Sequence, residues 1–286
     1  MRLTDDQVAR YNDEGILSVP DFLAPKWIDA FRAEADRLTS ASTAASFDPE
    51  RVEMEPNQDS AGNSIRRIYE PCAYYPEFQE YSESPEILDA VEQLIGANLL
   101  LHYSKLNMKP AQLGSVVEWH QDLSYYPLTN HDSLAVLLYL DDADEENGCL
   151  RVLPGRHRGE LMDHTTEGVF QGRITLPVDE SRARSLPGKA GTGIFLHGMT
   201  PHASVQNRSG RPRRTLIISY RAADCFPLYV GNRSASIDAF TRLVRGRPAG
   251  EARFTLKRFP IPIYSVNEAS LYQLQEMSRE NRLAAS

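Results

Sequence analysis

The sequence predicts a mainly β fold with flanking helices, and three observations carry that expectation. Between residues 98 and 222, six β-type runs (98–110, 115–122, 134–143, 149–157, 192–198 and 214–222) are separated by Gly, Pro, Asn and Asp. No helical pattern interrupts them, which favours an antiparallel barrel or sandwich over a parallel sheet. Helical periodicity is confined to the two ends, so helices are expected to wrap one β core spanning about 98–222 within a single domain, 1–286.

At the N-terminal end, Thr4 followed three residues later by Gln7 forms a capping-box signature, and Gly15 marks the helix end. ILSVPDFL reads as a short strand entering a turn, and 25–38 as an amphipathic helix with proline in its first turn. Residues 40–64 are polar and aperiodic and read as a loop. A helix over 84–96 follows, with Ser84 as its expected cap. Beyond residue 234 the pattern suggests a helix over 234–246, a proline-punctuated loop, and a last helix near 269–281.

Composition narrows the function classes. A net charge of -8, with no long Lys/Arg run, argues against nucleic-acid binding. Three scattered cysteines without a CxxC pair argue against structural disulfides. An acidic N-terminus and the lack of a long apolar run point to a cytoplasmic protein that does not enter a membrane. Self-association is left open.

The stretch 118-EWHQD-122 places a histidine and an aspartate two positions apart in a strand-like run. On a strand these project from one face, which suits two metal ligands, a proton relay or a surface ion pair. Two imidazoles and a carboxylate on one side of a divalent iron make a facial site with open positions. A third ligand could come from His197 or His202, both ahead of the hairpin signal NRSGRP and a returning β run. On that run Arg213 and Thr215 share a face, an arrangement suited to holding a carboxylate.

The pieces 118-EWHQD-122, 146-ENGCLRVLPGRHRG-159 and 196-LHGMTPHASVQNRSGRPRR-214 resemble the phytanoyl-CoA dioxygenase (PhyH) family. The stretch 102-HYSKLNMKPA-111 is in addition similar to the corresponding strand of ectoine hydroxylase. The resemblance implies a double-stranded β-helix, a jelly-roll of cupin type. It implies an enzyme that takes Fe(II), 2-oxoglutarate and O2 and hydroxylates or otherwise oxidises a C–H bond of a small polar or anionic metabolite, releasing succinate and CO2. In that family an arginine follows the distal iron histidine by 11 residues; here Arg213 stands 11 after His202, which selects His202 over His197.

The ligand set implied is then His120, Asp122 and His202. The implied cosubstrate residues are Arg213, Lys109, Asn107, Ser204 and Thr215, and the substrate residues Tyr103, Lys105, Tyr125, Tyr126 and Arg66. A carboxylate at Asp122 favours hydroxylation over halogenation. His157 is read as pinning a turn, and His102, His131 and His164 as ordinary core or surface residues. Two other classes stay in view, a zinc hydrolase on the same ligands and a non-catalytic cupin-type metal-binding barrel.

Overall fold

The computed structural model describes residues 1–228, 238–256, 258–261 and 270–280. Helix α1 (Asp5–Glu14) starts on the Thr4–Gln7 capping box and ends at Gly15, whose φ of 70° is left-handed. A Cβ at Gly15 would fall 2.4 Å from Nδ1 of His157 and 2.5 Å from the Thr200 hydroxyl, so glycine is needed there for space as well as conformation. Strand β1 (Ile16–Val19) and helix α2 (Pro25–Ala41) follow, then β2 (Val52–Met54), β3 (Ile65–Tyr69), and helices α3 (Pro71–Tyr74), α4 (Pro76–Ser82) and α5 (Pro85–Ile95).

The β core continues with β4 (Leu99–Lys109), β5 (Val117–His120), β6 (Ser133–Tyr139), β7 (Leu150–Val152), β8 (Thr165–Thr166), β9 (Val169–Phe170), β10 (Arg184–Leu186), β11 (Gly193–His197), β12 (His202–Ser204) and β13 (Arg213–Ala222). Strand β14 (Arg242–Arg245) and helix α6 (Leu271–Arg279) close the described chain. A large antiparallel sheet has the order β1-β11-β6-β13-β4-β3-β2, with β14 also paired to β4. A small antiparallel sheet has the order β10-β7-β12-β5. The two sheets make the jelly-roll core that the fold class predicts.

Side-chain alternation divides the interior. Leu134, Val136 and Leu138 of β6, with Leu216, Ile218 and Tyr220 of β13, pack towards the helices. Ala135, Leu137 and Tyr139, with Ile217, point the other way, against Leu150, Val152 and Leu186. Strands buried on both faces read as unbroken apolar runs, as in LAVLLYL.

Four local expectations are corrected. Residues 52–54, placed in the 40–64 loop, form β2 by pairing with β3. Residues 242–245, placed in a helix, form β14 on the edge of β4, because a free strand edge outweighs a weak helical pattern; residues 234–237 of that expectation lie outside the described residues. Ser84 occupies the N-cap position of α5 as expected but makes no capping bond; its hydroxyl donates to the Tyr81 carbonyl at 2.9 Å. Finally, β5 stops at His120, and Asp122 opens a 3-10 turn over Asp122–Ser124.

Candidate active site

The third ligand candidate meets the first through strand pairing. β12 lies antiparallel to β5 with His202 directly opposite His120, and their rings are 4.1 Å apart centre to centre. Asp122 reaches the pair through the 3-10 turn rather than by strand alternation. Its Oδ1 lies 3.7 Å from Nε2 of His120 and 3.8 Å from Nε2 of His202. One donor atom from each of the three residues falls within 4.8 Å of the others, and all three residues are buried.

Backbone carbonyls set the direction of both rings. Nδ1 of His120 is 2.8 Å from the Glu118 carbonyl, and Nδ1 of His202 is 3.0 Å from that of Thr200. Nδ1–H must donate there, which leaves each Nε2 lone pair facing Asp122. Burial depresses both imidazole pKa values, so the rings are held neutral, the form that binds metal. Two neutral imidazoles and one carboxylate therefore fit a divalent iron.

Beside this cluster runs a cavity whose wall includes His120, His202, Ser204, Arg67, Lys105 and Asn107, with Arg213 at one side. Arg213 is buried; it donates to the Thr215 hydroxyl at 2.7 Å and the Gly148 carbonyl at 2.6 Å. Its Nε has no partner, and among the described residues no carboxylate pairs with it. A buried guanidinium so placed fits an incoming carboxylate, which is the group 2-oxoglutarate would present. Register explains the wall: Arg213, Thr215, Ile217 and Ser219 of β13 stand opposite Lys109, Asn107, Lys105 and Tyr103 of β4, all on the face towards the small sheet.

The other expected residues distribute as follows. Lys109 is beside Arg213 but outside the cavity wall. Its ammonium donates to the carbonyls of Ser115 and Val205, and burial followed by Arg213 holds its pKa well below the lysine range. Lys105 is half-buried on the wall, with its pKa pushed down to about 8 by burial and then by Arg67. Tyr103 lies under the Lys105 ammonium, 5.3 Å from ring centre to nitrogen. Tyr125 packs edge-on against His120 at 5.6 Å, its hydroxyl tied to the Gly172 carbonyl. Tyr126 sits in an apolar cluster with Leu123, Leu128 and Met199. Arg66 points away from the cavity into contacts with Glu53, Glu55, Ser115 and Glu276.

His197, the competing ligand candidate, is directed towards Tyr11 and His157 instead. His157, expected to pin a turn, instead meets the C-terminal end of α1, its Nε2 3.3 Å from the Asn12 carbonyl.

Three contributors become definite only in the structure. Arg67, the neighbour of Arg66, faces the cavity and donates to Asn107 Oδ1 at 3.0 Å. Only the pairing Arg67↔Asn107 between β3 and β4 reveals which of the two arginines points inward. Gln121, fully buried between two ligands, ties down both neighbouring loops. Its side chain bonds the Met199 carbonyl and the Met162 amide, and its own amide donates to His164. Leu271 of α6 lines the cavity from the far end of the chain, for which no local signal exists.

Comparison with known proteins identifies the family. The phytanoyl-CoA dioxygenase (PhyH) family profile matches residues 11–215. A protein of Stutzerimonas stutzeri described as a probable alpha-ketoglutarate-dependent hypophosphite dioxygenase is 31% identical over 230 residues, covering 78% of this chain and 80% of that one. A methylphosphonate hydroxylase of Gimesia maris is 27% identical over 221 residues, covering 77% and 81%. EctD from S. alaskensis, solved with 2-oxoglutarate and 5-hydroxyectoine, superposes with a TM-score of 0.64 at 24% identity, covering 77% of each chain. Such relatives set aside the zinc-hydrolase and non-catalytic barrel alternatives. The chain belongs to the phytanoyl-CoA dioxygenase family and is an Fe(II)- and 2-oxoglutarate-dependent dioxygenase acting on a small molecule.

Proposed function

We propose that His120, Asp122 and His202 hold the iron, that Arg213 receives the distal carboxylate of 2-oxoglutarate, and that the substrate oxidised is a small anion. The observation that carries this reading is Arg213, a buried cation without an acidic partner, sharing one cavity with the histidine–aspartate cluster. Thr215 and Gly148 fix the plane of its guanidinium, and Ser204 offers a hydroxyl on the same wall. Lys109 is held on backbone carbonyls behind Arg213, and Asn107 orients Arg67.

With iron and cosubstrate bound, O2 and 2-oxoglutarate supply one oxygen atom to the substrate and leave as succinate and CO2. The chain's own residues place the reactants and keep water out. Carbonyls of Glu118 and Thr200 hold the imidazole tautomers, and Tyr125, Leu137, Ile217 and Leu271 provide apolar surface near the reacting centre. Hypophosphite and methylphosphonate, named for the two relatives, are small phosphorus oxyanions, which supports an anionic substrate. Tyr103, Lys105 and Tyr125 border its place, whereas Tyr126 and Arg66 serve packing and ion pairing.

In the same reading residues 1–286 work as one catalytic unit in the cytoplasm, without nucleic-acid or membrane partners and with self-association left open. A net charge of -8 and the absence, among the described residues, of a helix long and apolar enough to cross a membrane support it.

The test is to add Fe(II) and 2-oxoglutarate to the protein without oxygen and record the visible spectrum. A weak charge-transfer band is expected, lost in His202→Ala and requiring roughly 30-fold or more extra cosubstrate in Arg213→Ala, the loss of a charge-assisted pair. Metal binding without any band would overturn the assignment.

A further inference from the structure

The cavity holds more positive charge than its cosubstrate can neutralise. Arg67, Lys105 and Arg213 all line it, and no carboxylate is among its lining residues. Three side-chain cations and a divalent iron, set against Asp122 and the two carboxylates of 2-oxoglutarate, leave about two positive charges without a partner.

Those charges sit away from Arg213. Lys105 is opposite Ile217, four residues along β4 from the Lys109–Arg213 pair, a separation of about 13 Å at strand spacing. Arg67 comes to the same region from β3. Among the described residues the Lys105 ammonium has no hydrogen bond or ion pair, only the Tyr103 ring 5.3 Å away. Asp122 and Glu70 are the carboxylates whose charge it feels. Asp122 belongs to the metal cluster, and Glu70 is occupied by the Ser104 amide at 3.0 Å and hydroxyl at 3.3 Å.

Arg67 is comparably uncommitted. Its Nε goes to Asn107, while its outer nitrogens carry no hydrogen bond to any described residue. The ring of Tyr272 lies 4.9 Å from the guanidinium and that of Tyr69 5.6 Å away, so its plane is held by aromatic surfaces while its donor edge stays free. A merely structural pair of cations would carry carboxylates, as Arg66 does one residue away with Glu53, Glu55 and Glu276. Burying two cations without partners is costly, and the arrangement makes sense when a ligand supplies the counter-charge.

We propose that Arg67 and Lys105 form a second anion subsite, distinct from Arg213, which binds the charged end of the substrate, a small dianionic oxyanion of the phosphonate kind. This rests on the oxygenase reading above. The planar fork of Arg67 takes two oxygens and Lys105 a third, a set suited to a tetrahedral group and more than a single carboxylate offers. The rest of the substrate is small, because Leu137, Leu150, Ile217 and Leu271 fill the remaining wall.

The experiment is calorimetric titration of the Fe(II)- and 2-oxoglutarate-loaded protein, without oxygen, using methylphosphonate and then acetate. Wild type is expected to bind methylphosphonate saturably and at least tenfold tighter than acetate. Lys105→Met and Arg67→Met are each expected to weaken methylphosphonate tenfold or more, with Lys105→Arg restoring most of it. The 2-oxoglutarate midpoint, read from the charge-transfer band, is expected to stay within twofold in all three variants. A tenfold loss of 2-oxoglutarate binding in the Met variants would assign the cations to the cosubstrate and overturn the proposal. Preference for acetate, or no saturable heat from either anion, would overturn it as well. Absence of the band in wild type is a different failure, that of the oxygenase reading itself.

Discussion

His197 shows how one residue can look like a ligand and serve as something else. It lies five residues before His202 and is half-buried against His157, with its Nδ1 accepting from the Met199 amide at 3.0 Å. Burial, with His157 and His131 adding repulsion, pushes its pKa down to about 3, against 6.5 for an ordinary histidine. The sign follows from where the proton goes. Below pH 6.5 the unfolded chain takes up a proton that the folded ring refuses, so stability falls as the pH drops from 6.5 towards 3. From pH 7 to pH 5 this contributes a loss of about 1–2 kcal/mol. His197→Asn keeps an acceptor for Met199 but does not titrate. Urea unfolding at the two pH values should show that its stability changes less than wild type by about that amount; an identical drop in both proteins would mean that other groups set the acid limit. At this scale the sequence could propose both histidines, and only the 11-residue offset to Arg213 separated them. Which of Arg66 and Arg67 faces the site was illegible for a similar reason: adjacent strand residues point to opposite faces, and which one points inward depends on a partner strand 40 residues away.

At the scale of elements, legibility followed how local the cause was. Helix α1 was readable because its cap and stop lie within its own twelve residues. The long strands β4, β6 and β13 were readable because their alternation or apolar run is intrinsic. Strands β2 and β14 exist only because an edge was available to pair with, and no intrinsic pattern announces that. Helix α6 belongs to both groups. Its capping box, Ser270 with Gln273, is local, but its position over the cavity is set by distant polar contacts. Gln275 bridges the Glu118 amide at 3.0 Å and the Gly172 carbonyl at 2.7 Å, and Arg279 pairs with Glu118 at 2.9 Å. Since Leu271 lines the cavity, these contacts hold one wall of the site in place. Gln275→Ala would leave the Glu118 amide unpaired and the Gly172 carbonyl with the Tyr125 hydroxyl alone, costing about 1–3 kcal/mol locally. The amides of α6 should then exchange with deuterium roughly 5- to 100-fold faster while those of β13 stay unchanged. Unchanged exchange in α6 would show that apolar packing, not the Gln275 bridge, fastens the helix.

Across the whole molecule, the large sheet separates apolar packing from charge. Its outer face carries the helices and an aromatic group in which Phe31 lies 4.7 Å from Phe78, 5.6 Å from Tyr81 and 5.7 Å from Trp27. Its inner face carries Arg213, Thr215, Asn107 and Lys105 towards the small sheet. Stability and ligand binding should therefore respond to different substitutions and add independently. Phe31→Ala removes a fully buried ring and should cost about 3–5 kcal/mol, lowering Tm by roughly 6–10 °C. In the Mn(II)-loaded protein, saturating 2-oxoglutarate at about 100 times its dissociation constant should add about 2.7 kcal/mol, or roughly 5 °C, in wild type and in Phe31→Ala alike. Arg213→Met should do the reverse: it deletes a buried charge without a counter-ion, so the ligand-free Tm should hold or rise while the ligand-induced shift largely disappears. Paired melts of the three proteins with and without ligand decide the matter. If Arg213→Met lowered the ligand-free Tm as far as Phe31→Ala does, its bonds to Thr215 and Gly148 would be holding the two sheets together. The guanidinium would then be a structural strut, with its place beside the cosubstrate a consequence of that role.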